Sequence, residues 1–125
     1  MREDEIARHV VSASMEIHTE LGPGLLENVY KTCMERELVA VGCDVQKELV
    51  LPLRYKGLFL DVAYRLDLVV SSKVVLEFKS VDSLLPLHRA QLLSYLRLGD
   101  YKLGLLLNFN TLRMRDGIKR VVNGL

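Results

Sequence analysis

The sequence predicts an α/β fold of three layers, with helices on both faces of one central mixed sheet. Three observations predict it. Apolar residues recur every three or four positions as far as Leu38 and then every second position from Val45, so helices come first and strands follow. The order that results is α-α-β-β-β-α-β with a small final element, and helices on both sides of one sheet is the natural packing for it. The chain of 125 residues, 50% hydrophobic and 26% charged, suits one domain over residues 1–125 with a core of its own.

Each element has a local reason. Ile6, Val10, Ala13, Ile17 and Leu21 make one stripe of an amphipathic helix from Asp4 to Leu21. Gly22-Pro23-Gly24 stops it, because proline removes a donor and glycine favours a helix C-cap. A second stripe of Leu26, Val29, Tyr30, Cys33, Met34 and Leu38 ends near Gly42. Val45 to Tyr55 reads as a strand, with Pro52 pushing it to an edge or a bulge. Leu58 to Val70 and Val74 to Lys79 read as two more, joined by the polar Ser71-Ser72-Lys73. Pro86 opens a helix with Leu87, Ala90, Leu93 (or Leu92) and Leu96 inward, closing at Gly99. Leu103 to Phe109 is short and apolar enough for a buried strand, and Arg113 to Val122 is either a short strand or a helical turn.

Composition excludes several classes of function. Lys and Arg total 17 against 16 for Asp and Glu, so no global field draws in nucleic acid, and any such contact must be local. The best local excess, Arg113, Arg115, Lys119 and Arg120 against Asp116, reads equally well as a solvated face. No window approaches a membrane span. The acidic start Met1-Arg2-Glu3-Asp4-Glu5 lacks the pattern of a secretory signal. Cys33 and Cys43 alone make no disulfide framework, so reduced thiols and a cytoplasmic location are expected.

The chemistry concentrates in two strands. Alternation places Val74, Leu76 and Phe78 on one face and Val75, Glu77 and Lys79 on the other. Glu77 and Lys79 thus emerge side by side from an apolar strand, where charge is costly unless paired or holding an ion. Asp67 sits in an equally apolar run, Leu66-Asp67-Leu68-Val69-Val70. Two hard carboxylates beside a cation suit magnesium, which takes few carboxylates and keeps water and phosphate oxygens, with manganese as a substitute. Such an ion would activate water and neutralise a scissile phosphate, with Lys79 positioning the nucleophile or steadying the transition state. The competing reading is a Glu77–Lys79 ion pair on a solvated sheet face, and on spacing alone the two weigh about evenly. Asp100-Tyr101-Lys102 matches the second half of the pattern but follows Gly99 at a turn, where charges are cheap. The register supplies a check. A two-residue turn would set Asp67 opposite Leu76, whereas a three- or five-residue loop or a bulge sets it opposite Glu77.

Other candidates are weaker. Glu27 lies in the first turn of the second helix, where an acid is favourable for electrostatic reasons alone. Gln91 is polar on an apolar helix and either flanks the carboxylates or marks the solvent boundary. His9, His18 and His88 have no zinc spacing. Tyr30, Tyr64 and Tyr95 suit core positions with a satisfied hydroxyl better than catalysis.

Taken together, these residues resemble a known family. Glu20 to Tyr30, with Gly24, Glu27 and Tyr30 at the named positions, is similar to the GxxExxY signature. The likeness continues through Tyr64–Leu68, Leu76–Lys79, His88–Leu96, Leu103–Asn110 and Asp116–Arg120. That family is grouped with the PD-(D/E)XK nuclease-like superfamily, so the resemblance implies a restriction-endonuclease-like sandwich. It also implies Asp67, Glu77 and Lys79 as the metal and catalytic core, with Glu27 as the helical acid completing the metal ligands and Gln91 as the helix glutamine. Leu66 stands where the superfamily has its nominal proline. The function implied is a magnesium-dependent nuclease acting on DNA or RNA. The alternatives are a nuclease-fold module that binds nucleic acid or protein without turnover, and a structural or oligomerisation domain, such as a homodimer, whose apolar Leu84-Leu85-Pro86-Leu87 segment packs on a second copy.

Overall fold

The computed structural model describes residues 1–125, the side chain at position 63 excepted. Helices α1 (Glu3–Leu21) and α2 (Glu27–Ala40) come first, followed by strands β1 (Val45–Tyr55), β2 (Leu58–Val70) and β3 (Val74–Lys79). Helix α3 (Pro86–Gly99), strand β4 (Leu103–Asn108), a 3-10 turn at Met114–Gly117 and strand β5 (Ile118–Val122) complete the chain. The basic C-terminal segment is therefore both of the things its sequence allowed, a helical turn and then a strand.

The five strands lie in the order β1-β2-β3-β4-β5, and every neighbouring pair is antiparallel except β3 with β4. The one parallel pairing needs a long crossover, and α3 supplies it. β3 and β4 form the centre and are almost entirely buried. Two apolar cores confirm the three layers. One joins Ile6, Val10, Ile17, Tyr30, Met34 and Leu38 of α1 and α2 to Val74, Leu76 and Phe78 of β3. The other joins Leu92 and Leu96 of α3 to Val75, Val69 and Leu106. The expected alternation along β3 therefore holds, with Val75 on the α3 side.

Two helix stripes differ from expectation. Leu87 and Ala90 are exposed, and α3 is held by Leu92 and Leu96 with Leu93 and Tyr95 alongside. The helix presses closest at Gly104, where a Cβ would stand 2.9 Å from the Leu92 side chain. In α2, Leu26 and Val29 are likewise exposed, while Tyr30, Met34 and Leu38 are buried.

Pro52 does what proline in a strand dictates. It lies on edge strand β1, and the β1–β2 register shifts between Pro52 and Leu53. The far end of that hairpin closes through Lys56 (φ 48°) and Gly57 (φ 83°). Positive φ at both residues matches the twist of the flanking strands, as hairpins prefer.

Candidate active site

The β2–β3 connection is the three-residue Ser71-Ser72-Lys73, with Val70 paired to Val74, Val69 to Val75 and Leu68 to Leu76. The next level belongs to Asp67 and Glu77, which therefore face each other, as the odd connection requires. The ladder stops there. In its place the Phe78 N–H donates to Asp67 Oδ2 at 2.8 Å. A carboxylate has replaced a backbone acceptor, so the strands part at this level and the Asp67 side chain is fixed in the gap.

Glu77 is only 6% exposed, and its Oε1 is a buried acceptor without a hydrogen-bond partner among the described residues. Burial, above all, pushes its carboxyl up to about 9, and the neighbouring Asp67 carboxyl pushes in the same direction, while Lys79 pulls it down. A buried acceptor with no partner normally costs about 1–3 kcal/mol. The solvated ion-pair reading is thereby excluded: Glu77 is buried, and no ion pair joins it to Lys79 among the described residues.

A second cation enters from α2. Lys31 Nζ lies 3.8 Å from Asp67 Oδ1 and donates a hydrogen bond to Glu48 of β1. Burial alone would lower the Lys31 ammonium's pKa, but the Glu48 hydrogen bond and the charges of Asp67, Glu48 and Glu77 together raise it. Glu48 lies between the pairs Lys47–Leu68 and Leu49–Leu66, so β1, β2 and β3 present Glu48, Asp67 and Glu77 at one level. Its φ of +51° is unusual for a glutamate within a strand. Conformations of this kind persist only where surrounding contacts hold them, and they cluster at functional sites. Neither Lys31 nor Glu48 was singled out by the sequence, although Lys31 stands one helical turn after Glu27 and so shares its face.

The remaining candidates take definite places. Lys79 is half-buried at the end of β3, paired with Asn108 of β4. Asn108 is buried, and its amide receives the Val81 N–H at 3.2 Å and donates to the Val81 carbonyl at 2.9 Å, fastening the chain just beyond Lys79. Glu27 is exposed at the start of α2. No group of three His, Cys, Asp or Glu side chains able to hold a metal ion occurs among the described residues, so Glu27 is not gathered with Asp67 and Glu77 here. Gln91 is exposed on α3, one turn before Tyr95 and on its face. Burial raises the Tyr95 hydroxyl's pKa first, and the charges of Glu77 and Asp67 are among its further causes, so α3 borders the same gap.

Tyr30 is structural. Its hydroxyl donates to the Gly22 carbonyl at 2.7 Å and accepts from the Leu25 N–H at 3.0 Å, while its ring stacks on Phe109 at 4.3 Å. It ties the Gly22–Gly24 turn to the core and thereby sets where α2, with Glu27 and Lys31, begins. Gly22 and Gly24 have φ of 75° and 88°, consistent with helix termination. His18 and His88 also serve the fold, with His18 Nε2 2.8 Å from the Thr111 carbonyl and His88 Nδ1 accepting the Leu85 N–H. Of the C-terminal cations, Arg120 is bonded to Asp4 at 2.7 Å, while Arg113, Arg115 and Lys119 make no ion pair among the described residues.

The donor set fits a hard divalent ion. Asp67 and Glu77 offer oxygens across a gap, and the unmet Glu77 oxygen is the kind of atom an ion would satisfy. Two carboxylates suffice for magnesium, which keeps several waters.

Comparison with known proteins bears on the fold and the family. No curated protein matches the chain significantly. Among solved structures, the crystal structure of SSO0001 superposes with a TM-score of 0.58 at 22% identity, over 98% of this chain. This chain spans 58% of the length of that one, and at this identity the likeness speaks for the fold alone. No helix among the described residues is long and apolar enough to cross a membrane. The family model of the PD-(D/E)XK nuclease superfamily matches residues 4–121, nearly the whole length, so the chain belongs to that superfamily.

Proposed function

We propose that the chain is a magnesium-dependent nuclease of the GxxExxY group, one cytoplasmic domain over residues 1–125 that hydrolyses phosphodiester bonds of DNA or RNA. The observation that carries this reading is the buried, unpartnered Glu77 oxygen facing Asp67 across strands that have come apart. A strand interior does not keep such an atom without a use for it. A magnesium ion held there, with manganese as a substitute, would lower the pKa of a bound water and neutralise charge on the scissile phosphate.

The chain's own residues supply the rest. Asp67 and Glu77 hold the ion, and the Phe78 amide keeps Asp67 turned inward. Lys79, on the face of Glu77, positions the attacking water and offsets charge as the phosphorus becomes five-coordinate. Water adds to phosphorus, the ester P–O bond breaks, and the leaving oxygen departs with a proton. Glu27, one turn from Lys31 on the same face of α2, completes the ligand set once a substrate and its ion draw the helix face in. Lys31 balances the acidic gap in the free protein and steadies Asp67. Gln91 borders the gap from α3 and orients the phosphate.

The test is cleavage of plasmid and of single-stranded DNA and RNA with magnesium or manganese, beside Asp67→Ala and Lys79→Ala. Each variant is expected to lose at least about 100-fold, the scale for a group that stabilises the transition state directly. Equal activity in the variants would sink the reading. A binding module without turnover is the second reading. The observation favouring it is that the Lys31 ammonium already sits against Asp67, near where an ion would go. Retained binding with no cleavage under any divalent ion would select it.

A further inference from the structure

Strands β1 and β2 run far beyond the rest of the sheet. Of the 13 residues of β2, only Leu68, Val69 and Val70 pair with β3. From Leu66 outward β2 pairs with β1 alone, and the two form an arm closed by Lys56–Gly57. Its composition is unlike any other surface of the molecule. Tyr55, Leu58, Phe59 and Val62 are 60 to 63% exposed. Of the chain's five tyrosines and three phenylalanines, the exposed ones are Tyr55, Phe59 and Tyr64, all on this arm. Cations are interleaved with them: the Arg54 guanidinium lies 5.5 Å from the centre of the Phe59 ring, and the Lys56 ammonium 5.3 Å from that of Tyr55. Arg65 adds a third cation against the single acid Asp61, and no ion pair occupies any of the three among the described residues.

Exposed rings among unpaired cations suit one kind of partner. Unpaired bases stack on aromatic side chains while their phosphates meet cations, and sequence matters little because every base has a face. A second copy of the arm is a poor fit, since it would bring three cations against three. Strand addition along β1 is blunted by Pro52 and its register shift. The arm also leads inward to the acids. Tyr64 lies against Tyr95 of α3 with ring centres 5.4 Å apart, and Asp67 follows three residues later on β2. Pairing of Tyr55 with Leu58 and of Arg54 with Phe59 sets those two rings on opposite faces of the arm, Tyr55 with Tyr64 on the face that leads to the acids, and a hollow of about 210 Å³ at Val50, Pro52 and Phe59 lies on the other.

We propose that the β1–β2 arm is a stacking platform for a single-stranded nucleic acid, which it delivers to the gap between Asp67 and Glu77. The proposal names the substrate class for the nuclease reading and rests on it only for the delivery; binding stands by itself. The probe is a fluorescein-labelled 20-nucleotide oligo(dT), followed by anisotropy in chelator so that nothing is cut, beside a duplex of the same length. Tyr55→Ala and Tyr64→Ala, whose rings share the face that leads to the acids, are expected to weaken oligo(dT) binding about 5- to 100-fold each, from a stacking worth of about 1–3 kcal/mol per base. Tyr55→Phe, which keeps the ring, restores binding. The duplex is affected less than twofold, and Arg54→Gln with Lys56→Gln flattens the salt dependence. These side chains are exposed, so the fold is expected to survive, with unchanged melting as the control. Affinities within twofold of the parent in both alanine variants would overturn the proposal. So would light scattering that shows a dimer undone by Tyr55→Ala while oligo(dT) affinity stays the same. Asp67→Asn separates the two readings: if it binds oligo(dT) normally and the parent never cleaves, the arm stands and the nuclease reading falls.

Discussion

A single strand, β2, passes through two environments. Its inner part, Leu66 and Leu68 to Val70, is fully buried between two helical layers, while its outer part from Leu58 to Arg65 has water around most of its side chains. Both parts are apolar in sequence, yet only the inner one has β3 beside it. Asp67 stands at the boundary, where the sheet narrows from five strands toward two and a backbone amide is left for a carboxylate to accept. The difference teaches that the charged gap is an outcome of strand lengths: β3 is short, so the ladder ends where the acids are.

The comparison can be broken most directly by truncation. Leu76→Ala, in the buried centre, is expected to cost about 2–5 kcal/mol by denaturant unfolding, whereas Leu58→Ala on the arm stays within about 0.5 kcal/mol. Similar costs at both would mean the arm is packed. Next in size is the pH dependence of Glu77. Its folded pKa of about 9 lies above its ordinary 4.5, so the unfolded chain releases this proton first. In chelator, stability therefore falls as pH rises from about 5 to 9. Glu77→Gln, which has no proton to lose, removes that slope and is more stable than the parent at pH 8. A slope that persists in the variant would place its origin elsewhere. Tyr30→Phe, which deletes both hydroxyl contacts at the Gly22 turn, is expected to cost about 1–2 kcal/mol while leaving the Phe109 stack in place. Smallest is Arg120→Gln, whose exposed pair with Asp4 is screened by water and salt, so its unfolding midpoint is expected to match the parent's.

Much of this was legible in the residues. The three-residue Ser71–Lys73 connection could be counted, and counting alone set Asp67 across from Glu77. Pro52 announced both the edge and the register shift. Other features were hidden for physical reasons. The arm's Leu58-Phe59-Leu60 reads like the buried Leu68-Val69-Val70, because exposure depends on what lies alongside and not on the strand itself. Leu87 and Ala90 follow the helical stripe yet stay exposed, because the core on that side takes Leu92 and Leu96. Glu48 carries no mark of its positive φ, which asparagine or glycine would have betrayed. Lys31 was within reach, four residues after Glu27 on a helix, and its importance comes from Asp67, far away in the chain. For the site, the sequence named the acids but not the cation that faces them.

The central claim is that Asp67 and Glu77 exist to share one divalent ion. A crystal soaked in manganese tests it through anomalous density. The account predicts a peak between the two strands, about 2.0–2.3 Å from one oxygen of each carboxylate, with the Lys31 ammonium displaced from Asp67. No peak in that gap, with Lys31 still seated against Asp67, would contradict it.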